Sequence, residues 1–228
     1  MKILIICNYS SGLYTFRGML IQELIKKGHT VNAIIPETEE EHEKKAENDL
    51  KRLQCGLKRI PMERRGMNPL HDIKLMLEYK KTIKKFKPDM VLTYTIKPNI
   101  YGGLACRNLK VPYMVNITGL GTAFQKDGML KKLVVTMYKT ALKKANVVFF
   151  ENIENRDIFI QEGILSVKKT HVLAGAGVDL ERFRYTEYPQ DEEKTRFLFI
   201  GRVMQEKGMD ELFETMQRLN KDGYPCSL

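Results

Sequence analysis

A chain of 228 residues with 43% hydrophobic and 29% charged residues is long enough to bury a full core and too apolar to be disordered. Its formal net charge of +10 favours anionic partners: nucleic acid, a phosphorylated substrate or an acidic membrane face. The cysteines Cys7, Cys55, Cys106 and Cys226 form no CxxC pair, which points to a reduced cytosolic setting rather than a disulfide framework or a zinc site. The apolar run after Met1 is too short for a secretory signal, and no stretch reaches the ~20 apolar residues of a membrane span. The expected location is therefore cytoplasmic, or peripheral on the inner face of the plasma membrane.

Short apolar runs alternate with segments of helical period. Strands are predicted at Lys2–Cys7, Thr30–Pro36, Leu57–Met62, Met90–Thr95, Pro112–Ile117, Asn146–Glu151 and Lys169–Leu173. Helices are predicted at Thr15–Lys27, Glu39–Gln54, Asn68–Lys87, Ile100–Leu109, Met129–Ala145 and Glu154–Glu162. Strands apolar on both faces and separated by helices imply a doubly wound parallel sheet, an α/β fold that binds ligands at the carboxyl ends of its strands. This first domain is expected to span residues 1–183. The polar stretch 184–194, rich in acidic residues, reads as a linker. Residues 195–228 then supply a strand (Arg196–Ile200), a loop and a helix (Met209–Lys221), the opening βα unit of an incomplete second Rossmann-like domain.

The candidate chemistry lies on the expected edge. The loop after the first strand, Asn8 to Thr15, holds Gly12 and Tyr14; a glycine before a helix start permits close approach of a phosphate or sugar, and a plain βα turn has the same pattern. Thr95, Lys97 and Asn99 follow the fourth strand, and Asn116, Thr118 and Gly119 follow the fifth; hydroxyls, amides and glycine there suit hydrogen bonding to a sugar or phosphate, or simply a polar loop. Lysines crowd the Asn68–Lys87 and Met129–Ala145 helices. They read either as solvated faces or as a docking surface for anionic lipid, where each lysine adds roughly 1 kcal/mol. Nucleic acid is disfavoured, because aromatic stacking platforms and known binding motifs are missing. His29, His42, His71 and His171 are isolated, with no metal-ligand spacing, so no metal or cofactor is expected. The sharpest pattern is Gly201-Arg202-Val203-Met204-Gln205-Glu206-Lys207-Gly208. There Arg202 and Lys207 can converge on a diphosphate and stabilise charge on a leaving nucleotide, while Gly201 lets the loop close.

Phe199-Ile200-Gly201-Arg202, Glu206-Lys207-Gly208 and the segment Gly175-Ala176-Gly177-Val178-Asp179-Leu180-Glu181-Arg182-Phe183 resemble motifs of the family 4 glycosyltransferases, retaining enzymes of the GT-B fold. The resemblance implies two Rossmann-like domains around a cleft, with acceptor on the first and nucleotide sugar on the second. Arg202 and Lys207 would then hold the donor diphosphate as the catalytic pair, with Gly201 beside them and Gly12 lining the cleft. The Thr95–Asn99 and Asn116–Thr122 edges would face the acceptor. Thr-Ile-Lys-Pro-Asn and Asn-Ile-Thr-Gly-Leu-Gly look most like members that extend undecaprenyl-diphosphate-linked sugars in capsular polysaccharide, lipopolysaccharide or related glycan synthesis. The implied partners are a nucleotide sugar, a UDP-sugar above all, a lipid-linked saccharide and an anionic membrane met by the basic helices. Two departures stand out: many members place a histidine after the fifth strand, where this chain has Asn116 to Gly121, and the family's paired glutamates find no counterpart in context. The alternatives are a GT-B-fold sugar-nucleotide epimerase and a non-catalytic fragment that binds acceptor or membrane.

Overall fold

The computed structural model describes residues 1–63, 66, 68–188, 194–201 and 203–228, and these form two units, Met1–Asp179 and Leu180–Leu228. In the first unit β1 (Lys2–Ile6), β2 (Thr30–Pro36), β3 (Gly56–Ile60), β4 (Met90–Tyr94), β5 (Tyr113–Ile117), β6 (Val147–Phe150) and β7 (Thr170–Val172) make one sheet. Its order is β3-β2-β1-β4-β5-β6-β7, and every pairing is parallel. The order reverses between β1 and β4, so the carboxyl ends of those two strands flank the crevice where a doubly wound sheet takes its ligand.

Strand side chains alternate between two cores. Leu4 and Ile6, with Val91 and Val115, face one helix layer: α3 (Pro69–Phe86), α4 (Gly103–Leu109) and α5 (Met129–Leu142), which contribute Tyr79, Cys106 and Tyr138 to the cluster. Ile3 and Ile5, with Val31 and Ala33, face α1 (Ser10–Lys26) and α2 (Glu41–Arg52) through Leu13, Ile21 and Leu50. After β6, α6 (Ile153–Gln161) inserts Phe159 between Tyr138 and Phe150, with ring centroids 5.0 and 5.2 Å away.

Helix ends follow local chemistry where the cap is local. Asn68 caps α3 by accepting from the Leu70 N–H at 3.1 Å, with Pro69 in the first turn, and the helix stops at left-handed Lys87 before Pro88. Asn152 caps α6 by accepting from Asn155 N–H at 2.8 Å. α1 departs from the sequence expectation: it begins at Ser10, five residues before Thr15, so Gly12 lies in its first turn and not in a loop. Tyr9, the residue before it, is extended and makes no side-chain cap. The cap comes from α2, where buried Glu43 accepts from Ser10 N–H at 2.6 Å, Ser11 N–H at 2.9 Å and Ser11 Oγ at 2.8 Å. Helix formation between β4 and β5 also starts early, as a π-helical turn Pro98–Gly102 running into α4.

In the second unit β8 (Thr195–Arg196) pairs in parallel with β9 (Cys226–Ser227), and α7 (Met209–Lys221) connects them. The strand predicted over Arg196–Ile200 is thus shorter and begins one residue earlier. With one neighbour among the described residues, its pairing extends only as far as Phe197 N–H on Ser227 O, at 2.8 Å. The division at Asp179 falls inside the Gly175–Phe183 segment.

Candidate functional site

Three strands of the first unit deliver polar side chains to one edge. Glu151 directly follows β6, Asn116 is the penultimate residue of β5, and Asn99 sits in the π-helical turn after β4. Arg17 reaches them from α1. It is nearly fully buried, its Nη2 pairs with Glu151 Oε1, and its guanidinium carbon lies 4.9 Å from the Tyr94 ring centroid. A buried arginine needs both a counter-charge and hydrogen bonds, and here Nη1 also donates to Phe16 O at 3.0 Å. Asn116 Nδ2 lies 3.5 Å from the same carboxylate oxygen, while Asn116 O accepts from Asn99 Nδ2 at 2.9 Å. Burial is the main cause that pushes the Tyr94 hydroxyl up to about 12, with Arg17 opposing it. The Tyr9 hydroxyl is also raised by burial, with Cys7, Glu43 and Glu151 adding to it and Arg17 opposing.

The edge carries acceptors that the protein leaves unused. Asn8 Oδ1, Ser10 Oγ, Thr93 Oγ1, Asn99 Oδ1 and Asn116 Oδ1 are buried and take part in no hydrogen bond among the described residues. Buried polar atoms in native proteins almost always find a partner. Their concentration at the ends of β1, β4 and β5 sets this edge apart from the rest of the sheet. Thr95, immediately after β4, holds φ at 73°, a left-handed conformation costly for a β-branched residue and one that gathers at functional sites.

The residues picked from the sequence separate into groups. Asn99 and Asn116 join the network just described. Lys97 does not offer an open cation: its Nζ lies 2.8 Å from Asp72 Oδ1, with both side chains largely buried, and the Tyr101 hydroxyl donates to the other Asp72 oxygen at 2.9 Å. Thr95 turns its Oγ1 onto Tyr94 O. Thr118 is exposed, and a Cβ at Gly119 would meet nothing within 4 Å, so this part of the edge is open. Gly12 has a packing reason: a Cβ there would lie 1.8 Å from the Tyr9 ring. The amides Ser10 and Ser11 ahead of it are taken by Glu43. Tyr14 packs beside Gly18 and the α1–α2 core. Gly201 and Lys207 belong to the second unit, both exposed, and Arg202 lies outside the described residues.

Arg17, Tyr94 and Glu151 were missed in the sequence. A signal existed for Arg17: it interrupts the buried stripe Leu13-Arg17-Ile21 at four-residue spacing, where a cation needs a partner. Glu40, His42 and Glu43 bring three ligand-type atoms within 4.8 Å of one another, but Glu43 is committed to α1. Glu43→Gln should therefore destabilise the first unit by about 2 kcal/mol, as a charge-assisted cap on two amides becomes a neutral one. A urea midpoint equal to that of the parent would contradict this assignment.

Residues 2–152 match the family described as Glycosyl transferase 4-like. The chain belongs to that family. It is 26% identical over 238 residues to the N,N'-diacetylbacillosaminyl-diphospho-undecaprenol alpha-1,3-N-acetylgalactosaminyltransferase of Campylobacter jejuni, an alignment covering 96% of this chain and 61% of that protein. It is 32% identical over 129 residues to the UDP-Gal:alpha-D-GlcNAc-diphosphoundecaprenol alpha-1,3-galactosyltransferase of Escherichia coli, covering 54% of this chain and 32% of that one. The chain thus spans less than two thirds of the length of either relative. The structure of a putative UDP-N-acetylglucosamine 2-epimerase from Listeria monocytogenes superposes with a TM-score of 0.64 at 14% identity, covering 100% of this chain and 61% of that one. At that identity the likeness establishes the fold alone, an α/β fold of GT-B type. In this glycosyl transferase 4-like chain the family match covers the Arg17–Glu151 edge and ends just past it.

Proposed function

We propose that this chain carries the acceptor-side domain, and the start of the donor-side domain, of a retaining glycosyltransferase. It moves a hexosyl or N-acetylhexosaminyl group from a UDP-sugar to a lipid-linked saccharide in bacterial surface polysaccharide or glycan synthesis. The observation that carries this is the edge where Arg17 and Glu151 balance each other's charge while amide and hydroxyl oxygens stay unused. A charge-neutral edge rich in hydrogen-bonding groups suits the hydroxyls of a saccharide better than a polyanion. Glu151, whose side chain is 23% exposed, is positioned to accept from a sugar hydroxyl. The named activities of the C. jejuni and E. coli relatives support an undecaprenyl-diphosphate-linked acceptor.

In this reading Arg202 and Lys207 bind the donor diphosphate and stabilise the negative charge of the leaving UDP, without a metal. Fixed cations aimed at developing charge are the means by which such sites lower a barrier. An anionic membrane, met by the lysines of α3 and α5, holds the protein beside its lipid-linked substrate.

The test uses a chain with a complete donor domain, a panel of UDP-sugars and undecaprenyl-diphosphate-linked acceptors. Lys207→Ala should lower kcat by about 100-fold while the midpoint of urea unfolding stays put. Undiminished transfer in that variant would remove Lys207 from the mechanism. Epimerised UDP-sugar formed without acceptor would replace the transferase reading with the epimerase one.

A further inference from the structure

Between β4 and α4 the backbone takes two uncommon shapes in succession. Thr95 holds φ at 73°, and Pro98–Gly102 then closes the π-helical turn. Such conformations persist where the surrounding side chains over-determine them. Lys97 and Tyr101 stand four residues apart and so share one face of this turn, with Asn99 midway between them on the other.

The first face meets α3 at a single carboxylate. Asp72 accepts from Lys97 Nζ through Oδ1 at 2.8 Å and from the Tyr101 hydroxyl through Oδ2 at 2.9 Å. Burial first, and Asp72 second, raise the Tyr101 hydroxyl above its ordinary value, which keeps it a donor. The second face meets β5, where Asn99 Nδ2 donates to Asn116 O at 2.9 Å. Asn116 Nδ2 in turn lies 3.5 Å from Glu151 Oε1. The turn is thus clamped between α3 and the polar edge.

The Lys97 and Asp72 side chains are only 12% and 6% exposed. Stability alone does not call for such a pair, because apolar residues of similar volume often serve as well in its place. An apolar contact does not fix direction, whereas two hydrogen bonds converging on one carboxylate do.

We propose that Asp72 is a positioning residue for the polar edge. Its carboxylate staples Lys97 to Tyr101 and so holds Asn99 against β5, which keeps Asn116 beside Glu151. Lys97 then serves the edge from behind and does not touch the ligand. The inference deepens the proposed function and rests on it for the identity of that ligand; the staple itself does not depend on it.

Two variants test the staple. Tyr101→Phe removes one arm and no charge. A triple variant, Asp72→Leu with Lys97→Met and Tyr101→Phe, replaces every member by an apolar group, so no charge is stranded and the unfolding midpoint should stay near that of the parent. Proton exchange in the full chain is followed by NMR at the Asn99 backbone amide, which donates to Thr95 O at 2.9 Å. The Asn146 amide, on Tyr113 O at 2.9 Å, is the reference. Exchange at Asn99 should quicken about 10-fold or more in the triple variant and less in Tyr101→Phe, while Asn146 keeps its parent rate. In a chain with a complete donor domain, the triple variant should raise the KM for an undecaprenyl-diphosphate-linked acceptor about 10-fold and leave UDP affinity unchanged.

A pair that served stability alone would lower the midpoint and move neither readout. Exchange at Asn99 no faster than in the parent would overturn the staple, whether or not sugar is moved. Faster exchange with an unchanged acceptor KM would overturn the positioning role. No transfer by the parent, beside faster exchange in the triple variant, would overturn the proposed function instead and leave the staple standing.

Discussion

Arg17→Met should cost about 3 kcal/mol of folding free energy, because it leaves the largely buried Glu151 carboxylate without its guanidinium partner. Methionine keeps the apolar stem against Tyr94 and removes only the charge and its hydrogen bonds. Glu151→Gln should cost a similar amount for the mirror reason: it strands a buried cation over the Tyr94 ring, 4.9 Å from its centroid. The two losses should not add. In Arg17→Met with Glu151→Gln neither charge remains, and the double variant should recover about 2 kcal/mol relative to the sum. Additive losses in a urea-denaturation cycle would mean that the pair contributes no coupling.

The same cycle bears on function. In a chain with a complete donor domain, Glu151→Gln should raise the KM for acceptor about tenfold or more, since a carboxylate accepts more strongly than an amide. UDP affinity should stay at the parent value, because the residue lies on the acceptor side of the proposed reaction. A matching loss of UDP affinity would place Glu151 at the donor instead.

What the sequence made legible was the part of the molecule governed by near neighbours. Strands apolar on both faces, helix period, and the Asn68-Pro69 and Lys87-Pro88 signals all operate within a few residues. The doubly wound sheet and the bounds of α3, within a residue at each end, follow from them. The start of α1 was not legible, because its cap is Glu43, 33 residues from Ser10. Lys97 was grouped with the candidate binding residues because its counter-charge Asp72 sits 25 residues upstream. Glu151 and Arg17 are 134 residues apart, and nothing local marks either as the other's partner. Asn99 and Asn116 could be picked out because strand-end polarity is a local property; which of their atoms stay unused emerges only when the network closes.

A shift from neutral pH to about pH 10 should remove a few kcal/mol of stability, and three buried thiols are the reason. Burial raises Cys7 from 9.0 to about 11, with Tyr9 and Asn8 backbone hydrogen bonds and Arg17 opposing. Burial likewise raises Cys55 and Cys106 from 9.0 to about 12. These are acids whose folded pKa lies above the unfolded one. Their contribution is therefore complete below pH 9, where both states keep the proton. It falls as pH rises and the unfolded thiols ionise first. At pH 10 each thiol gives up on the order of 1 kcal/mol, because the unfolded thiol has largely ionised while the folded one has not. Tyr94 and Tyr113, raised by burial from 10.0 to about 12, extend the decline further into alkali. The urea midpoint at pH 10 should fall more than about 1 M below that at pH 7.5. A Cys55→Ala with Cys106→Ala variant, less stable at neutral pH, should lose less between the two pH values because only Cys7 still titrates among the three. A parent midpoint that is flat from pH 7.5 to 10 would mean that these thiols are not held neutral by the fold. Cys7 would then have to reach water at the end of β1, directly beside Asn8 and the polar edge.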